Sequence, residues 1–149
     1  MSVHPFLRHS ICRRPAGVEL SSNALDPRFG WARCGDRQYD LVTAVFVINV
    51  LLSLDDRLVS IRAAACLVRP GGHLLIAARS ESAVAGEARR GRWGQFNDGW
   101  VSAPGKGTFQ KGIPTAEIGW LMGAVGFQIA ECALRLSSDV SWLLGRRSL

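Results

Sequence analysis

The sequence predicts an α/β fold, with a mostly parallel sheet closed by a C-terminal antiparallel hairpin. Three observations carry this. Residues 39–80, YDLVTAVFVINVLLSLDDRLVSIRAAACLVRPGGHLLIAARS, run from an apolar strand through an amphipathic helix and a Pro-Gly-Gly turn to a second apolar strand. That is one βαβ crossover, which implies parallel neighbouring strands joined right-handedly. Residues 127–136 and 140–145 read as two further strands around the tight turn Ser137-Ser138-Asp139. The chain has 149 residues, 48% of them apolar and 20% charged, which suits one small domain with a real core.

Composition narrows the functional classes. No apolar run approaches the roughly 20 residues of a membrane helix. The basic opening MSVHPFLRHSICRRPAG has no long apolar stretch, so a secretory signal is not expected. Cys12, Cys34, Cys66 and Cys132 are scattered without zinc or redox spacing, which points to reduced thiols in a cytoplasm. Three histidines without paired spacing predict no metal site. The net charge of +6 comes mostly from arginine and forms no continuous basic tract, so it does not by itself define a nucleic-acid interface.

In chain order, residues 1–16 offer a short amphipathic helix ended by Pro15, and Val18 to Leu20 a short strand. Residues 26–38 carry loop signals. Tyr39 to Val45 is nearly continuous in apolar and β-favouring residues, which predicts a strand buried on both faces. Ser53 with Asp56 three residues later matches a capping box. Leu54, Leu58, Ile61, Ala65 and Val68 then form one apolar stripe, with Arg57, Arg62 and Arg69 placed off it. Arg69-Pro70-Gly71-Gly72 stops that helix, and His73 to Ala78 is the next strand. From Arg79 to Gly112 glycines are interspersed with Trp93, Phe96, Trp100 and Phe109. A loop or insertion over about 80–112 is expected within the single domain 1–149, with a short helix around 82–90. Pro114 suits a helix first turn, Ile118, Leu121, Met122 and Val125 its apolar face, and Gly126 its end.

This order of elements resembles the class I S-adenosylmethionine-dependent methyltransferases. The resemblance rests on YDLVTAVFVINVL, a helix, LVRPGGHLLIAARS, a helix ending in AVGF and a terminal strand pair, and it spans roughly Glu19 to Gly145. It implies a Rossmann-like sheet and S-adenosyl-L-methionine as cofactor. Family members begin with a strand and a loop of the form (D/E)xGxGxG, which lets the backbone approach the cofactor. No GxGxG occurs in this chain. The fold is therefore expected to be incomplete, N-terminally truncated, and short of the family's first strand. The missing GxGxxG fingerprint also counts against a nicotinamide oxidoreductase.

The resemblance puts Glu19 on the cofactor ribose, against a plain surface glutamate. Asp36 is a candidate for the adenine, against a Gly-Asp turn. Ala44 and Val45 end the first strand at the carboxyl edge, where open α/β sheets bind ligands; they are cofactor-floor candidates or core. Asn49 follows as a polar ligand group or a turn cap. Arg79 leaves the second strand at the same edge and suits an anionic substrate or the methionine carboxylate, or is simply solvated. Phe96, Asn97, Asp98 and Trp100 form a polar-aromatic candidate for a planar, amine-bearing substrate, against satellite packing. Two functions stay open. One is methyl transfer to an unidentified small-molecule or nucleic-acid acceptor. The other is a catalytically inactive remnant that binds partners, with another chain completing the sheet.

Overall fold

The computed structural model describes residues 38–102, 107–130 and 137–149. Strand β1 (Tyr39–Val45) is followed by a 3-10 turn (Ile48–Val50) and helix α1 (Leu54–Cys66). Strand β2 (Val68–Arg79) and helix α2 (Glu81–Gly91) come next. Three short strands follow, β3 (Gly94–Phe96), β4 (Gly99–Val101) and β5 (Phe109–Gln110). Helix α3 (Thr115–Ala124), β6 (Phe127–Ile129) and β7 (Val140–Arg147) complete the chain.

The main sheet has the order β1-β2-β7-β6. The β1/β2 pair is parallel, with Leu41 opposite His73 and Thr43 opposite Leu75. Strand β7 runs antiparallel to both β2 and β6, so the expected C-terminal hairpin forms the far side of the sheet. The part of it expected over 131–136 lies outside the described residues. Helices α1 and α3 bury Ile61, Ala65, Ile118, Leu121 and Met122 against Leu74 and Ile76 of β2. Each of the larger side chains among these contributes about 1.5–3 kcal/mol by leaving water.

Helix α1 starts as the sequence predicts. The Ser53 hydroxyl accepts the Asp56 N–H at 3.0 Å. The Asp56 carboxylate turns back to the Ser53 hydroxyl at 2.8 Å rather than to its backbone, so only half of a capping box is made. The helix ends at Cys66, earlier than expected, and Val68 already belongs to β2. The Arg147 guanidinium donates to the Ala65 and Val68 carbonyls at 3.3 and 2.5 Å and so caps this end. Arg69 to Gly72 is then taken up inside β2 as a bulge. Two steps along β1, from Tyr39 to Leu41, are answered by five along β2, from Val68 to His73. Gly71 supplies the positive φ of +73° this needs. Arg69 Nε reaches Asp40 Oδ1 at 2.5 Å and ties the bulge to β1.

Two expectations are corrected. Strand β1 is not buried on both faces: only Ala44 is fully buried, and Leu41 is 54% exposed. Among the described residues no strand covers its outer edge, so nothing packs there as a second parallel neighbour would. Arg57 is not on the solvent side of α1; it is 1% exposed, while Leu54 of the expected stripe is exposed. The 80–112 segment holds α2, where a short helix is expected, and a three-stranded antiparallel sheet β3-β4-β5. No described helix is long and apolar enough to cross a membrane.

Candidate site at the carboxyl edge of the sheet

Strands β1 and β2 end side by side, with Val45 opposite Ala77. Past that point Phe46 takes a left-handed conformation, φ +57°, while its N–H still reaches the Ala77 carbonyl at 2.8 Å. A bulky residue with positive φ is strained, and such strain concentrates at functional sites. The residue is 47% exposed at the edge where ligands bind in open α/β sheets. The 3-10 turn then buries Asn49 to 3% exposure, and its Oδ1 has no hydrogen-bond partner among the described residues. A buried amide oxygen without a donor is costly.

A crossing strap closes this edge. The Lys111 N–H donates to the Asn49 carbonyl at 2.8 Å, and the Ile113 N–H to the Arg79 carbonyl at 2.9 Å. Residues 111–113 thereby join the 3-10 turn after β1 to the end of β2. Between them Gly112 lies so close to α2 that a Cβ would stand 2.8 Å from the Glu81 nitrogen and the Ser80 carbonyl oxygen, so the strap fits only with glycine here.

Lys111 of the strap also joins a four-membered ion cluster. Arg57 pairs with Asp98, and its Nε stands 3.0 Å from Glu117 Oε1 outside hydrogen-bond geometry. Lys111 Nζ reaches Glu117 Oε2 at 2.6 Å and Asp98 Oδ2 at 2.9 Å. Arg57 also donates to the Leu51 carbonyl at 3.0 Å. Burial pushes the Asp98 carboxyl up, but the hydrogen bonds and charges of Lys111 and Arg57 outweigh it and hold it below the usual carboxylate range.

The expected site residues divide accordingly. Glu19 and Asp36 lie outside the described residues. Ala44 is in the main core and Val45 is half-buried at the edge. Arg79 does lie at the carboxyl edge, but it is engaged by Glu87 at 2.5 Å and the Gln110 amide oxygen at 2.8 Å. Phe96 is exposed and meets Phe109 edge-on, with centroids 6.5 Å apart. Asn97 and Asp98 form the two-residue turn between β3 and β4, with Asn97 at φ +49°. Trp100 is half-buried in β4, opposite Gln95 and Gln110. Sequence reasoning missed Phe46, Arg57 and Glu117. Arg57 carries no local signal: its acidic partners lie 41 and 60 positions away, and amphipathic spacing assigns it to solvent.

A shallow cavity of about 270 Å³ is lined by Gln128, Arg146, Arg147, Ser148 and Leu149. Arg146 stands opposite His73, at the other end of the sheet from Phe46 and Arg79. Among the described residues no group of three or more metal-binding side chains comes together.

No family model matches the sequence, and no curated protein matches it either. Solved structures do match. One is an S-adenosylmethionine-dependent methyltransferase from Clostridium acetobutylicum ATCC 824, at TM-score 0.55 and 12% identity, covering 76% of this chain and 60% of that one. Another, from Methanosarcina mazei, gives 0.56 and 12%, with coverage of 76% and 61%. An O-methyltransferase family protein from Burkholderia thailandensis gives 0.53 and 21%, with coverage of 87% and 35%. The chain therefore has the class I methyltransferase fold, Rossmann-like and mixed α/β, and spans about three fifths of the length of the first two structures and about a third of the other.

Proposed function

We propose that the chain is a methyltransferase-type domain that binds S-adenosyl-L-methionine at the carboxyl edge of β1 and β2. The observation that carries this is the buried Asn49 Oδ1, an acceptor without a donor beside the strained, exposed Phe46 at that edge. The proposed cofactor offers amino and hydroxyl donors to such an oxygen, and its flat adenine and cationic sulfur both suit an aromatic face. The residues present therefore fit the group. Ala44 and Val45 would form the floor, Asn49 would accept from a polar group, and Phe46 would flank it. Glu19 and Asp36 are further candidates, for the ribose and adenine.

When bound, the cofactor supplies an already activated methyl donor, so the protein needs little acid–base chemistry. The strap 111–113 and the β3–β4 hairpin exclude water and position the acceptor. Arg79, Phe96, Asn97, Asp98 and Trp100 are the acceptor-side candidates. A cytoplasmic setting fits the scattered cysteines.

Calorimetric titration of the whole chain with S-adenosylmethionine and S-adenosylhomocysteine tests the reading. Saturable heat that Asn49→Leu weakens at least tenfold supports it; absence of heat at millimolar ligand overturns it. A second reading, an inactive binding module, is favoured by one observation. Arg79 and Asp98, two of the polar candidates, are already ion-paired within the chain. Absence of heat would select that reading.

A further inference from the structure

The ion cluster is unevenly buried. Arg57 has a side chain 1% exposed, Lys111 and Glu117 are each at 14%, and Asp98 is at 42%. Three members are fixed from within. The Arg57 guanidinium is held by the Leu51 carbonyl and by Glu117, and Lys111 by Glu117 and by its place in the strap. The fourth arrives from outside on the tip of a two-residue turn. The first strand of that hairpin, β3, is exposed along its whole length, so the tip belongs to the weakly held part of the molecule.

A charge count shows what the tip does. Arg57, Lys111 and Glu117 together carry a net charge of +1. The same Asp98 oxygen, Oδ2, takes both cations. A planar guanidinium and an ammonium converging on one oxygen make a receptor for carboxylate or phosphate. If Asp98 withdraws, each cation keeps Glu117, so neither is left as a lone buried charge, the most costly state. The position Asp98 fills is open to solvent, with the Asp98 side chain 42% exposed, and borders Lys111 of the strap that joins Asn49 to Arg79.

We infer that Arg57 and Lys111 form an oxyanion-binding site, filled by Asp98 in this structure, that takes a carboxylate or phosphate of the methyl acceptor when the β3–β4 turn moves aside. Assigning the anion to the acceptor rests on the proposed methyltransferase reading; the site itself does not. Asp98 thus acts as an internal stand-in that keeps the site closed until a competing anion arrives.

The test needs no cofactor, so its failure is separable from failure of the methyltransferase reading. The full chain carrying Asp98→Ala is titrated with acetate and with inorganic phosphate at constant ionic strength, and melting is followed. The expected result is a saturable rise of roughly 5 °C that adding Lys111→Met abolishes. A rise of equal size in the double variant, or no saturable rise, overturns the proposal. Should Asp98→Ala fail to fold, Asp98→Asn keeps the shape and removes the charge, and is read the same way. In the unaltered chain phosphate should speed hydrogen exchange at Asn97 to Gly99 severalfold while leaving β2 unchanged. Unaltered exchange at that turn would show that Asp98 is not displaced. The stronger of the two anions gives the acceptor's class.

Discussion

Arg57 is a charged side chain placed where a leucine would pack, one turn into α1 and 1% exposed. It is tolerated because its guanidinium donates to Asp98 and the Leu51 carbonyl and lies within ion-pair distance of the Glu117 carboxylate, and a buried ion needs such opposite charges around it. Arg57→Met leaves Glu117 with Lys111 alone and Asp98 without its guanidinium. It should lower stability by about 3 kcal/mol, read as an earlier urea midpoint. The pH dependence follows from Asp98. Its carboxyl sits below the ordinary 3.8 in the folded chain, so ionised Asp98 stabilises the fold above that pH. The contribution is lost as pH falls through the depressed value. Melting temperature followed from pH 6 downward should therefore drop more shallowly below about pH 4 in Asp98→Asn than in the unaltered chain. An identical acid limb in both would remove Asp98 from the account.

At the scale of elements, the strands and helix of the βαβ unit were legible because each carries a local signal in its own residues. YDLVTAV is apolar enough for a strand, and Ser53 marks the helix start with a hydroxyl that accepts the Asp56 N–H. The three-stranded β3-β4-β5 sheet was not legible. Its strands are two or three residues long, too short for alternation to show. It depends on a close approach at Gly99. A Cβ there would stand 2.6 Å from Phe109 Cζ and 2.7 Å from the Gln110 carbonyl oxygen on the paired strand. The ring can rotate away; the carbonyl cannot. Gly99→Ala should cost about 1–3 kcal/mol and raise hydrogen exchange across Gly94 to Val101 before the main sheet opens. Since Asp98 is the preceding residue, the same change should loosen the ion cluster.

For the whole molecule, the decisive feature is the outer edge of β1. Among the described residues no strand pairs with it, and Leu41 is 54% exposed. A seven-residue strand without proline or lysine is poorly protected against pairing with another chain. Leu41→Lys should leave the melting temperature nearly unchanged while reducing concentration-dependent light scattering. Equal scattering by both proteins would show that this edge does not drive association.

The chain's periodicity and turn residues determined by themselves that β1 and β2 lie parallel, that α1 bridges them and that a terminal antiparallel pair follows. Those features rest on neighbours a few residues apart, and the sequence displays them directly. Which charges are buried was decided only in three dimensions. Arg57, Asp98, Lys111 and Glu117 come together because a hairpin, a strap and two helices converge on one edge of the sheet. Left-handed Phe46 and the unpartnered Asn49 oxygen belong to the same convergence. Burial and pairing depend on distant segments meeting, and local spacing carries no record of that.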